Sequence, residues 1–327
     1  MTDKSAANSA GFRSGLIALL NSSLVAAVLA VLILGFALAA PNFLSANNVL
    51  NLLQSVAVIA VLAIGQTFVI ITAGIDLSQG AIIGLSGVLG AGVMGATGGP
   101  GSIALGILVA VAIGLIVGLI NGLLTAFTRV PAFIVTLGTL SIASGVALLV
   151  TGGEPIYELP PAFTGFGTGA LWVFPDIILV SLVLAVIGQI LLGRTRFGRG
   201  VYAVGSNRRA AALSGLPVRR NIVLVFILSG ILSAVGGVLL TAYVNSALPT
   251  AGANYELDSI AAVVIGGGSL FGGQGTVWAS MLGVLLIGVL ANGTDLLGVS
   301  TYSQTVILGC VVIGAVFVDS FRKRVAI

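Results

Sequence analysis

Apolar residues fall in long runs, separated by short breaks that hold polar, charged or proline residues. Cut at those breaks, the runs cover 17–40, 48–72, 78–97, 102–127, 131–151, 176–193, 221–244, 257–271, 276–295 and 301–319. Most reach the roughly 20 residues that a helix needs to cross about 30 Å of hydrocarbon at about 1.5 Å per residue. The run at 257–271 is shorter and, like 78–97, rich in glycine. The strict alternation of a membrane-barrel strand is absent. The pattern predicts an all-α, polytopic membrane protein with about 10 transmembrane helices. An N-terminal tail (1–16) and a C-terminal tail (320–327) flank one transmembrane domain over 17–319.

Composition agrees with the pattern. Hydrophobic residues make up 58% of the 327 and charged residues 7%, with a mean hydropathy of +1.21. A soluble surface needs roughly 25% charged residues, so this chain has too few to face water. The 47 glycines would weaken soluble helices, but in a membrane small residues let helix backbones approach closely. With Cys310 the single cysteine and no histidine, an intramolecular disulfide, a cysteine metal cluster and a histidine-based catalytic site or proton relay are all excluded. The run after Lys4 and Arg13 resembles a signal peptide. It is long enough to span and other spans follow, so it reads as the first helix.

Charge gives an independent test of the span count, because Lys and Arg near span ends concentrate on the cytoplasmic side. Ten spans with both termini inside put all 13 basic residues in the cytoplasm: Lys4, Arg13, Arg129, the seven arginines from Arg194 to Arg220, and Arg322, Lys323 and Arg324. Glu154, Glu158, Asp176, Glu256, Asp258 and Asp295 then fall on or near the outer side. The net charge of +4 is therefore a matter of topology and gives no sign of nucleic-acid binding.

Two breaks are long. The outer one, 152–175, holds Pro155, Pro160, Pro161, Pro175 and Trp172; it reads either as a cap over helix ends or as a docking surface for an extracellular partner. The inner one, 194–220, is the most basic stretch. Within it Asn207 is placed to cap a short helix through Ser214, with Gly215 to end it and Pro217 to prevent its continuation. A plain basic loop would only fix topology, whereas a capped helix with three alanines offers a seat for a partner protein.

Three segments carry a family resemblance: Gly205-Ser-Asn207-Arg-Arg-Ala210-Ala211-Ala-Leu-Ser214-Gly215-Leu-Pro-Val218, Ala73-Gly-Ile-Asp76-Leu-Ser78, and Val264-Ile-Gly-Gly-Gly-Ser-Leu-Phe-Gly-Gly-Gln-Gly-Thr276. Their order and spacing resemble the ribose-type (monosaccharide) permeases of ATP-binding-cassette (ABC) importers, over roughly 45–320. The resemblance implies a bacterial inner-membrane channel subunit that translocates a monosaccharide or polyol. It implies three partners: a cytoplasmic ABC ATPase, an extracytoplasmic sugar-binding protein and a second permease copy, the same chain or a paralogue. Asn207, Ala210, Ala211, Ser214 and Gly215 would form the ATPase-coupling helix. Arg209 stands where many importer permeases carry glutamate. No cofactor is expected in this chain, ATP being bound by the partner.

The remaining motifs leave alternatives open. Asp76 reads as a helix cap or as a residue at the inner mouth of the pathway. The Gly266–Gly275 segment lacks the Gly-Lys-[Ser/Thr] ending of a phosphate-binding loop, so the chain has no ATPase site and is not expected to be an enzyme. Gly272 and Gly273 read as part of a hinge or pathway border. Polar residues within spans are Gln54, Gln66, Thr67, Thr72, Asn121, Thr136, Thr139, Asn245 and Asn292. Most are expected to hydrogen-bond between helices, and Gln66, Thr67 and Asn292 are pathway candidates because their spans flank the Gly-rich breaks. Two rival functions remain: a branched-chain amino-acid permease of the same importer type, and a stand-alone facilitator or secondary transporter. Ion coupling needs intramembrane acids, and only Asp76 is placed to serve.

Overall fold

A computed structural model describes residues 25–99, 101–171 and 174–325. The expected tail 1–16 with Lys4 and Arg13, the start of the first span, and Trp172 lie outside the described residues. The chain is helical almost throughout: α1 Val25–Ala39, α2 Ala46–Ile71, α3 Gln79–Thr97, α4 Ser102–Phe127, α5 Ala132–Thr151, α6 Pro161–Thr168, α7 Asp176–Arg194, α8 Arg196–Ser206, α9 Arg208–Leu213, α10 Val218–Val244, α11 Tyr255–Ile265, α12 Val277–Leu296 and α13 Thr301–Val325. Two-residue strands, β1 Ala170–Leu171 and β2 Phe174–Pro175, pair antiparallel after α6. Among the described residues seven helices (α2, α3, α4, α5, α7, α10 and α12) are long and apolar enough to cross a membrane.

Helix boundaries follow local chemistry. Ser45 and Thr276 accept the N–H of Asn48 and Ala279 at the starts of α2 and α12. Pro131, Pro160, Pro175 and Pro217 precede α5, α6, α7 and α10, where a missing N–H costs nothing. Helix α5 ends on Gly152 in the left-handed conformation. Two expected boundaries are corrected. The run 257–271 is not a membrane-long helix: α11 stops at Ile265, and at 11 residues it measures about 16 Å, half the hydrocarbon thickness. Helix α13 continues past 319 to Val325, so most of the expected C-terminal tail is helical.

Helix α2 is the axis of the bundle. Nearly every residue from Val56 to Ile71 is buried, as expected of a helix that is apolar all round. Helices α4, α5 and α7 bury a single face. The tightest pairing joins α4 to α10. Gly106, Ala110, Gly114, Gly118 and Gly122 recur every four residues along one face of α4, and a Cβ built on Gly230 of α10 would lie 3.0 Å from the Cα of Gly118. Backbones this close need small residues, and the dispersion contacts they allow are what holds helices together in lipid.

Contacts between chain segments define two ends of the bundle. One gathers 71–75, 128–133, α8, α9 and 268–276: Gly273 donates its N–H to the Ile71 carbonyl, Arg208 to the Thr72 carbonyl, and Tyr202 its hydroxyl to the Gly275 carbonyl. The arginines of α8–α10 lie here, so this is the basic end. The other end gathers the segment around Ile156, which pairs with Ala247, and α6, whose Gly167 abuts Ala242. Two parts of the chain are built alike and run in opposite directions. Helix α2 runs to the basic end, the chain turns back as extended 72–78, and α3 then begins deep in the bundle. Helix α10 runs to the opposite end, the chain turns back through 245–254, and α11 begins deep in the bundle.

Candidate functional site

The depth at which α3 begins follows from a hydrogen bond. Gln79, its first residue, donates from Nε2 to the carbonyl of Leu62 (3.1 Å), which lies nine residues, or about 13 Å, before the end of α2. Ser259 of α11 donates to Gln79 Oε1 (2.7 Å), and Glu256 packs against Gly80. The N-termini of both half-buried helices therefore meet near mid-depth. Backbone that is not helical at this depth is tolerated only inside protein or along a cavity, and 72–78 satisfies both conditions: Asp76 and Ser78 are buried and 73–75 line a cavity.

Asp76 anchors the extended segment. It is fully buried and accepts only. Oδ1 takes the N–H (3.0 Å) and hydroxyl (2.6 Å) of Ser78, and Oδ2 takes the hydroxyl of Ser229 on α10 (2.7 Å). Each hydroxyl is itself supplied by an amide: Asn121 Nδ2 donates to Ser78 Oγ (2.9 Å) and Gln79 Nε2 to Ser229 Oγ (2.9 Å). Thr139 in turn donates to Asn121 Oδ1 (2.8 Å). Thr139, Asn121, Ser78, Asp76, Ser229, Gln79 and Ser259 thus form one chain that links α5, α4, the break, α10, α3 and α11. Every donor points toward the carboxylate, an arrangement that suits an anionic acceptor with no counter-ion. The cap reading of Asp76 is corrected here. Helix α3 starts at Gln79, Ser78 is its cap residue without a side-chain cap bond, and the carboxylate instead closes the turn before it.

The second Gly-rich break, 266–276, sits at the basic end. Gly272 and Gly273 have φ of +86° and +77°, which favour glycine. They lie against Gly205 and Ser206 at the end of α8 and against Ala73. Gly205 is pressed so closely on Ile71 and Gly273 that a side chain has no room. Three backbones therefore meet where α8 gives way to α9. Helix α8 was not expected from the sequence. Its signals are Thr195, which accepts the Gly198 N–H, and a buried stripe of Gly198, Val201 and Val204. Helix α9 is as expected: Asn207 accepts the Ala210 N–H at 3.0 Å, Ser214 follows as the C-cap, and Gly215 takes φ +79°. Ala210 is exposed while Ala211 packs inward.

The other expected pathway residues are engaged within the bundle. Thr67 pairs with Ser280 of α12 (2.7 Å). Asn292 and Asn48 exchange two amide hydrogen bonds (2.8 and 3.0 Å), tying α12 to the start of α2. Gln66 is fully buried with neither amide atom partnered. Ser229, Gln79 and Ser259, which complete the Asp76 chain, were missed. Each is a small or helix-terminal polar residue whose partners lie 150 or 180 positions away, so no local pattern marks them. Among the described residues no group of three or more metal-ligating side chains occurs.

Comparison with known proteins gives this architecture a family. A family model described as "Branched-chain amino acid transport system / permease component" matches residues 48–316. The chain is 46% identical to the ribose import permease protein RbsC of Bacillus subtilis over 88% of each chain. It is 39% identical to RbsC of Escherichia coli K12, over 93% of this chain and 94% of that one. Identity to the D-allose transport system permease protein AlsC of Escherichia coli K12 is 37%, over 91% of both. No solved structure matches. With its multi-pass helical bundle, broken helices and capped α9 described, the chain belongs to the permease-component family of ABC importers, on its ribose-type branch, as a transport subunit without an ATPase site of its own.

Proposed function

We propose that this chain is the membrane channel through which an ATP-driven importer carries a monosaccharide or related polyol across a bacterial inner membrane. It crosses ten times, 245–265 counting as one crossing, with both termini in the cytoplasm and the basic end facing inward. A cytoplasmic ABC ATPase supplies and spends the ATP, engaging α9 through Asn207, Ala210, Ala211, Ser214 and Gly215. An extracytoplasmic sugar-binding protein delivers solute at the opposite end, and a second permease copy completes the channel.

The observation that carries this reading is the junction beneath α9. There Arg208 of the exposed, capped α9 bonds Thr72, Tyr202 of the adjoining α8 bonds Gly275, and the Ile71–Gly273 hydrogen bond ties the two broken elements together. A push on α9 is thereby delivered to the segment that ends on Asp76 and to the segment that precedes α12. The intramembrane polar groups are mostly hydroxyls and amides, with three acids, Asp76, Glu256 and Asp258, chemistry that supports a neutral polyol better than an anionic solute.

The test is reconstitution of the purified permease with and without its ATPase in liposomes, the binding protein being supplied, with radiolabelled ribose, allose and leucine as solutes. ATP-dependent ribose or allose uptake, abolished by Ala210→Trp together with ATPase association, is the expected result. Leucine uptake alone transfers the chain to the amino-acid branch. Solute movement by the permease alone overturns the importer reading in favour of a facilitator.

A further inference from the structure

Two adjoining cavities of about 510 and 860 Å³ open at the basic end and share Thr125, Thr128 and Arg208. The first lies beneath the break at 73–75 and includes Arg129. The second lies between the end of α4 and the start of α10 and includes Arg219 and Arg220. Arg219 places its guanidinium 5.0 Å above the ring of Phe127, and Arg208 spends one N–H on the Thr72 carbonyl.

Three features point to a ligand. First, no carboxylate among the described side chains meets these cations. Of the acids whose side chains are described, Asp76 is enclosed by serines, Glu256 and Asp258 stand in the first turn of α11 at mid-depth, and Glu154, Glu158, Asp176 and Asp295 lie toward the opposite end. Second, Thr125 lines both cavities; the residue is 8% exposed and its buried hydroxyl has no hydrogen-bond partner. A buried hydroxyl left unpaired is unfavourable, and an incoming acceptor oxygen would relieve it. Third, the wall beside the arginines is apolar and open. Leu123, Phe127 and Leu224 are exposed and belong to the last turn of one span and the second turn of another, the depth at which acyl chains meet headgroups.

We propose that this groove binds an anionic phospholipid of the leaflet at the basic end. Its phosphate would be held by Arg129, Arg208 and Arg220 with the Thr125 hydroxyl, and its acyl chains would lie along Leu123, Phe127 and Leu224. Guanidinium forks match phosphate oxygens, and the juxtamembrane position adds the attraction of an anionic surface. A free phosphate would use the cations but leave the apolar wall idle. The proposal is independent of which solute the permease carries.

The test is native mass spectrometry of the delipidated permease–ATPase complex, titrated separately with dioleoyl phosphatidylglycerol and dioleoyl phosphatidylcholine. Preference for phosphatidylglycerol by about tenfold or more is expected. Each arginine near an anionic headgroup contributes about a fivefold factor, so Arg129→Gln with Arg220→Gln should weaken that binding by about 25-fold and leave phosphatidylcholine unaffected. Arg129→Lys with Arg220→Lys should retain most of it. Equal binding of the two lipids by the wild type, or undiminished binding by the glutamine pair, overturns the proposal. Displacement by equimolar inorganic phosphate overturns it too, by assigning the groove to free phosphate. If the glutamine pair does not assemble, the wild-type lipid comparison and the phosphate competition still decide.

Discussion

Replacing Ser229 by alanine tests whether the buried polar chain holds the broken helix in place. The Ser229 hydroxyl donates to Asp76 Oδ2 at 2.7 Å and accepts from Gln79 Nε2 at 2.9 Å. Ser229→Ala therefore strips a carboxylate oxygen and an amide hydrogen at once. A hydrogen bond to a charged group is worth about 1.5–3 kcal/mol, and a neutral interhelical bond in a membrane about 0.6. The loss should come to about 2–4 kcal/mol. Gln79 keeps its bond to the Leu62 carbonyl, which argues for the lower half of that range. Ser233 is the matched control. It lies one turn further along α10, equally buried, but its hydroxyl donates to the carbonyl of Ser229 in its own helix. Ser233→Ala leaves no interhelical partner stranded and should cost under about 1 kcal/mol. The assay is equilibrium unfolding of the purified permease in mixed micelles of rising SDS fraction. Indistinguishable midpoints for the two variants would refute the claim that the Asp76 chain is structural. A cycle that adds Asp76→Asn then isolates the pair, and an interaction energy below about 0.5 kcal/mol would assign the effect of Ser229 to local packing.

Other substitutions probe neighbouring features. Gly205→Ala inserts a methyl group where Ile71 and Gly273 already touch; ATP-driven uptake in proteoliposomes should fall at least about tenfold while ATPase binding to the permease persists. Asn207→Ala removes the α9 cap and should weaken that helix by about 1 kcal/mol, read as lower affinity for the ATPase, with Asn207→Ser restoring it. Asn292→Leu breaks the amide pair with Asn48 and should cost about 0.6–1.7 kcal/mol in the same SDS titration without changing which solute is carried. Gly118→Leu cannot be accommodated against Phe226 and Ile227 and should prevent stable folding, seen as aggregation on size-exclusion chromatography.

The membrane class and most helix limits were legible because hydropathy and punctuation are local: 102–127 and 131–151 were read to within a residue of α4 and α5. The short α11 was misjudged for a physical reason. Burial in protein and burial in lipid select the same apolar side chains, so Gly266 to Phe271 lengthened the apparent run although their backbone turns away from helix. The four-residue spacing from Gly106 to Gly122 is a readable sign of a close helix crossing such as that of α4 with α10, which composition alone registers only as glycine richness. Helix α9 was legible because a capped helix is specified within ten residues. The Asp76 chain was not, since its bonds join positions as far apart as Gln79 and Ser259. Asn121 and Thr139 could be noted as polar residues within spans, but nothing local said that they answer one carboxylate.

The two breaks differ in what fixes them, and the difference bears on which of them moves. Around Asp76 the extended segment is held by directional hydrogen bonds from Ser229 of α10 to Asp76, Asn121 of α4 to Ser78 and Thr136 of α5 to the Ile75 carbonyl, and displacing it means breaking charge-assisted bonds in a low-dielectric interior. Around Gly272 and Gly273 the hold is mainly close backbone approach: the Gly273 N–H on Ile71, packing on Gly205 and, two residues on, the Tyr202 hydroxyl on the Gly275 carbonyl, in residues whose left-handed φ leaves alternatives open to glycine. A displacement of α9 should therefore be absorbed first at 266–276, with the Asp76 segment moving as a rigid unit with α10. Hydrogen exchange on the permease–ATPase complex separates these behaviours. Faster exchange at 268–276 on ATP binding, with 76–79 unchanged, is the expected outcome, and the reverse order would make the Asp76 chain the hinge.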